Sequence, residues 1–139
     1  MQINTKAILD GITKTLRLHF PNYQIYTESV KQGLIEPAFI VRAITTNRSP
    51  INRNLVKQIH SFNITYLSGD LNDCYNVQDK LFNILEIIEL KNGVRIFGHD
   101  INSKMGGDML NVGISFSYHL FGKSDEIFME NQNITQEIV

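Results

Sequence analysis

From Asp108 to Gly122 the chain alternates. Leu110, Val112, Ile114, Phe116, Tyr118 and Leu120 fall on one side of an extended backbone, and Asn111, Gly113, Ser115, Ser117 and His119 on the other. Period-two alternation of this length predicts a long half-buried β-strand in a sheet with one dry face and one wet face. The dry face needs an apolar cover, and two stretches have the spacing to supply it. In the first, Ile8, Ile12 and Leu16 recur every four residues with Leu9 and Phe20 widening the stripe, while Lys6, Asp10, Lys14 and Arg17 fall outside it. Asn4 or Thr5 can cap this helix, and Pro21-Asn22 ends it near Phe20, because proline cannot continue the hydrogen-bond ladder. Gly11 weakens it by about 1 kcal/mol relative to alanine, so packing must hold it. In the second, Asp70, Asn72 or Asp73 caps a helix running to about Ile88, with Cys74, Val77, Leu81, Ile84, Leu85 and Ile88 on one stripe.

The intervening segments read as strands and turns. Tyr23 to Glu28 predicts a short strand, and Val30 to Glu36 a loop turning at Gly33. Ala38 to Thr46 is apolar on both sides near its start, which predicts a strand covered on both faces, with Arg42 reaching the wet one. Asn47 to Asn54, with Pro50, Arg48 and Arg53, predicts a polar loop longer than a hairpin needs. Leu55 to Leu67 sets His60, Phe62, Ile64 and Tyr66 against Ser61, Asn63 and Thr65, and pairs with the preceding strand as an antiparallel hairpin. Lys91-Asn92-Gly93 marks a turn, Val94 to about Ser103 a weaker strand, and Met105-Gly106-Gly107-Asp108 a glycine turn into the long strand. The order of helix, three strands, helix and two strands predicts an α+β fold: a two-layer sandwich in which an antiparallel or mixed β-sheet has two helices packed on one face. Residues 1–122 form a single domain in this reading. Residues 123–139, polar and mildly acidic, form a C-terminal tail that is flexible alone or docks on a neighbour.

The net charge of -1 hides an uneven distribution. Through residue 60, Lys6, Lys14, Arg17, Lys31, Arg42, Arg48, Arg53 and Lys57 outnumber Asp10, Glu28 and Glu36, and the carboxylates dominate afterwards. Two faces of opposite sign suit head-to-tail assembly into a ring, although folding can also mix the two halves. Cys74 is the single cysteine, which excludes an intrachain disulfide and a cysteine-rich zinc site, and the expected compartment is the cytosol. No window has the roughly 20 apolar residues of a membrane span, and no secretory signal pattern opens the chain.

Candidate chemistry is sparse. His19, His60, His99 and His119 lack metal-ligand spacing, and the acidic residues at 70 and 73 lack the alternation of a calcium loop. No serine sits in a nucleophile elbow, and Cys74 lies on an apolar helical stripe. No catalytic residue, cofactor or metal is therefore expected; a small enzyme built from dispersed His60, His99 and His119 is the remaining catalytic alternative. Arg48, Arg53 and Lys57 gather near one hairpin end and are the candidate interface residues, for protein or for passing DNA.

One run carries identity. Tyr23-Gln-Ile-Tyr-Thr-Glu-Ser-Val-Lys-Gln-Gly-Leu-Ile-Glu-Pro-Ala-Phe-Ile-Val41 resembles the corresponding segment of the small tail terminator, or tail completion, proteins of phages and phage-like elements of Gram-positive bacteria. Phe62-Asn63-Ile64-Thr65-Tyr66 and Lys80-Leu81-Phe82-Asn83-Ile84-Leu85-Glu86 are similar to the following strand and helix of that family, and the similarity covers residues 5 to 121. The Asn/Arg-rich stretch 47 to 54 departs from the family pattern, and the C-terminal tail lacks its dense acidic run. The resemblance implies a structural protein assembled in the host cytoplasm as a homo-oligomeric ring, commonly a hexamer, on the head-proximal end of a tail tube. Its implied partners are the tube protein and the sheath and neck or head-completion proteins, with DNA passing non-specifically through the lumen and no membrane contact. Another neck or head–tail adaptor of the same machinery is the alternative.

Overall fold

The computed structural model of the chain describes residues 3–27, 35–68, 70–106 and 109–121. The first helix, α1 (Thr5–His19), begins where the sequence offers a cap: Asn4 is extended, and its Oδ1 accepts a hydrogen bond from the Ala7 N–H at 2.8 Å. Its stripe of Ile8, Ile12 and Leu16 is fully buried. Gly11 has a packing reason. A Cβ there would stand 2.9 Å from Leu90 Cδ2 and 3.3 Å from Ile88 Cδ1, so its small size admits the segment 88–90 against the helix.

Three strands follow: β1 (Gln24–Tyr26), β2 (Ala38–Asn52) and β3 (Leu55–Leu67). The second helix, α2 (Leu71–Ile84), is capped by Asp70, which accepts from the Asn72 N–H at 3.1 Å. It stops at Ile84, four residues short of the expected end. Leu85 and Ile88 are buried as the stripe predicts, but Ile88 belongs to a short strand, β4 (Ile87–Glu89), paired with β5 (Arg95–Gly106). The apolar positions continue while the backbone changes partner, so helical periodicity alone overruns the end. β6 (Met109–Phe121) closes the chain's described part. The turn at residues 107–108, most of the loop around Gly33 and the tail 123–139 lie outside the described residues.

The strands form one six-stranded mixed sheet in the order β1-β2-β3-β6-β5-β4. β1 runs parallel to β2, with Ile25 opposite Phe39, and β5 runs antiparallel to both β4 and β6. A two-residue turn at Arg53-Asn54 makes β2 and β3 an antiparallel hairpin. Side-chain bonds from Gln58 to Tyr118, between Ser61 and Ser115, and from Thr65 to Asn111 show β6 descending as β3 rises, so that pair is antiparallel too. The expected α+β class holds. On β3 and β6 the even-numbered side chains are the dry set: Phe62, Ile64, Tyr66, Leu110, Val112, Ile114 and Phe116 are buried. Side chains of both helices reach that set, Thr5 bonding His60 at 3.3 Å and Asp73 accepting from Tyr66.

β2 departs from expectation. It is buried at Ala38, Phe39 and Val41 but exposed on both faces from Arg42 to Asn52. The stretch read as a polar loop is strand up to Asn52, and only Arg53-Asn54 turn. Polarity there reflects solvent on both faces of an extended arm, which composition cannot distinguish from a loop.

The chain divides into two compact units. The first, residues 1–45 and 60–116, holds both helices, β1, β4, β5 and the buried core just described. The second combines residues 46–59 with the chain from Ser117, of which 117–121 are described.

Gly98 in the first unit yields a stability prediction. A Cβ on it would meet Ile114 Cδ1 at 2.6 Å and the Leu85 carbonyl oxygen at 2.7 Å, while its N–H donates to Glu86 O at 2.9 Å. Backbone on one side and a fully packed core on the other leave no room to yield. Gly98→Ala is expected to lower the unfolding free energy by about 1–3 kcal/mol through overpacking. Denaturant titration checks this, and an unchanged midpoint would contradict it.

Candidate assembly interface

The second unit carries Arg48 on β2, Arg53 in the turn and Lys57 on β3, so the three residues singled out in the sequence belong to one hairpin end. No carboxylate occurs among the described residues of this unit. The cations are built in to different degrees. Arg48 Nε donates to Gln58 Oε1 at 2.6 Å, and Gln58 Nε2 donates to the Tyr118 hydroxyl at 3.2 Å, so the arginine is fixed by a relay across β2, β3 and β6. Burial pushes the Tyr118 phenol above its usual range, opposed by the Gln58 bond and the Arg48 charge. Arg53 is exposed in a turn closed by Asn52 Oδ1, which accepts from the Asn54 N–H at 2.9 Å. Ile51 and Phe121 remain 51% and 77% exposed beside these charges. Apolar area flanked by arginines is the composition of a protein-contact surface. Gln58 and Tyr118 were not legible as participants, although Gln58, like His60, is a polar residue on the largely apolar even-numbered side of β3.

The first unit presents a different surface. On the odd-numbered face, Ser61 and Ser115 hydrogen-bond at 2.8 Å, and Asn111 Oδ1 accepts from Asn63 at 3.2 Å and from Thr65 at 2.7 Å. Ile44, Asn63, Gly113 and Asn102 line a shallow depression of about 300 Å³ across four strands. This lining is polar and almost uncharged, with Asp100 its one carboxylate. It resembles a wet sheet face more than a reaction centre.

His60 is buried, and His99 Nδ1 lies 3.0 Å from Asp100 at the surface. Cys74 is buried inside α2, its Sγ 4.0 Å from Ser68 Oγ. Among the described residues no three His, Cys, Asp or Glu side chains stand together to hold a metal ion.

Tyr66 is fully buried in contact with Phe39 and Tyr23 and donates to Asp73. Burial chiefly, then the bonds to Asp73 and Tyr23, raise its phenol well above the usual 10.0. Because the folded value lies above the unfolded one, the associated stability is complete below about pH 10 and is lost as pH rises beyond it. The denaturation midpoint is therefore expected to hold to about pH 9 and fall by pH 11. Tyr66→Phe should reduce that alkaline loss, and a wild-type midpoint unchanged at pH 11 would contradict the assignment.

No helix among the described residues is long and apolar enough to cross a membrane. No curated protein matches the chain. One solved structure is 13% identical to it, covering 86% of this chain and 96% of its own at a TM-score of 0.43, too distant to argue from. The family described as phage tail terminator protein matches residues 7–127, from the third residue of α1 through the whole of β6. That family is structural rather than catalytic, and it places the protein's role in the virion tail among other tail components. With the match spanning both helices and all six strands, the chain belongs to the phage tail terminator family.

Proposed function

We propose that this protein caps the head-proximal end of a tail tube as a homo-oligomeric ring of six copies. The ring ends polymerisation of the tube, and of a sheath where one is present, and offers a surface to the neck. DNA passes through its lumen without sequence readout. Residues 1–122 act as one ring-forming domain. The proposed host element is a Gram-positive phage or a phage-like particle, with assembly in the cytoplasm. Family membership over residues 7–127 carries the reading. The hairpin end with Arg48, Arg53, Lys57 and exposed Ile51 supports it, because a cap must contact either its own copies or the tube beneath. Capping is a matter of geometry: the ring covers the growing end of the tube and presents no end that another tube subunit can join.

Purified protein added to polymerising tube subunits is expected to arrest growth and leave tubes of defined length. Its removal from an assembling system should give overlong tubes. Tubes of unchanged length in both experiments would refute capping. A subunit found in the neck but not against the tube would favour a head–tail adaptor instead.

A further inference from the structure

β2 outlasts its outer neighbour. β1 pairs only with residues 38–40, and among the described residues no strand lies beside β2 on that side from Val41 onward. β5 repeats the situation at the other margin. β4 pairs only with residues 95–97 and the Gly98 N–H donates to Glu86 O, so beyond Gly98 as far as Gly106 the outer side of β5 has no strand among the described residues. A strand edge presents alternate N–H and C=O groups that another strand can satisfy. The two open margins are level with one another, because Ile44 on β2 and Asn102 on β5 line the same depression with Asn63 and Gly113 between them.

Strand direction decides what fits. β2, β3, β6 and β5 alternate in direction, as shown above, so β2 and β5 run oppositely. A second copy placed with its β5 beside β2 of the first would continue the antiparallel alternation unbroken, and every further copy would repeat the same contact. Such a contact is heterologous, which is the type that closes rings. The β2 edge carries little that would blunt it against pairing. Residues 41–45 are Val-Arg-Ala-Ile-Thr, with three β-branched residues and one charge, and Ile44 is 56% exposed. On β5 a bulge with Asp100 at φ 52 interrupts the ladder between His99 and Asn102, and regular pairing with β6 continues from there to Gly106. Resting on the ring reading given above, we infer that subunits join edge to edge, residues 41–44 of β2 in one copy pairing antiparallel with residues 102–105 of β5 in the next.

Cysteine cross-linking tests the seam. Ile44→Cys with Asn102→Cys, and Arg42→Cys with Lys104→Cys, place thiols on the same margins two residues apart, so the two pairs test one register at two points. Within one copy the paired sites are three strand spacings apart, about 14 Å, too far for a disulfide. Across an antiparallel seam they come within about 4.5–5.5 Å. The buried Cys74 is retained. On assembled protein, free or on tails, mild oxidation of one of these pairs should give a ladder of covalent multiples, at least about tenfold above either single-cysteine variant. Imaged rings with no ladder from either pair would overturn the seam and leave the ring. Cross-linking to the tube protein alone would likewise assign these edges to another partner and overturn it. A chain monomeric in solution and on tails would remove both.

Discussion

Phe39→Ala should be the most damaging single substitution in the core, lowering folding stability by about 3–5 kcal/mol. The Phe39 side chain is fully buried at the start of β2. Its ring centroid lies 4.8 Å from that of Tyr66, 4.9 Å from Phe20 and 5.7 Å from Tyr23. It therefore joins the end of α1, the approach to β1 and the core end of β3, while Tyr66 ties the cluster to α2 through Asp73. Truncation removes both the buried area and the ring contacts, and three rigid aromatic neighbours cannot collapse into the space. Since a domain of this size has about 5–15 kcal/mol in total, loss of soluble protein on expression is a further expected sign. Phe121→Ala is the control, because that ring is 77% exposed, and its effect should stay within about 0.5 kcal/mol. Equal denaturation midpoints for the two variants would show that the aromatic cluster does not anchor the fold.

The largest effect on assembly is expected from reversing Arg48 and Arg53 together to glutamate. The described part of the second unit would change from three Arg/Lys cations and no carboxylate to one cation and two carboxylates. The cost to folding is small. Arg53 is exposed, and the loss of the Arg48–Gln58 bond amounts to about 0.5–1.5 kcal/mol. The variant should fold, as judged by circular dichroism and denaturation, but fail to join tails. The Arg48→Lys, Arg53→Lys variant, which keeps the charge, should retain most binding. High salt should weaken wild-type attachment in the same direction, since exposed charges are screened beyond about 10 Å at 0.1 M. Wild-type attachment by the glutamate variant would remove both arginines from the interface.

Much of this architecture could be read from residue order because the deciding signals are local. Asn4 and Asp70 cap where their side chains can reach an N–H two or three residues on, and both do. The alternation in β3 and β6 records which side of one sheet is dry, so it names the buried residues directly. What could not be read depends on distant partners. The end of α2 is set by the pairing of Ile88 with Ile96, a contact that periodicity cannot register. Residues 47–52 look like a loop because a strand exposed on both faces loses the apolar alternation that marks a strand. Gly11 and Gly98 make sense only once Leu90 and Leu85 are known to lie against them. The cationic residues were legible as a cluster, whereas the Gln58–Tyr118 relay that fixes Arg48 needed the β3–β6 neighbourhood, which sequence separation conceals.

Electron microscopy of tails carrying a labelled subunit is the most direct examination of how this protein works. The account predicts a closed ring of this chain seated where the tube meets the neck, in one layer per particle. Label distributed along the tube, gathered at the distal tip, or absent from finished tails would contradict it.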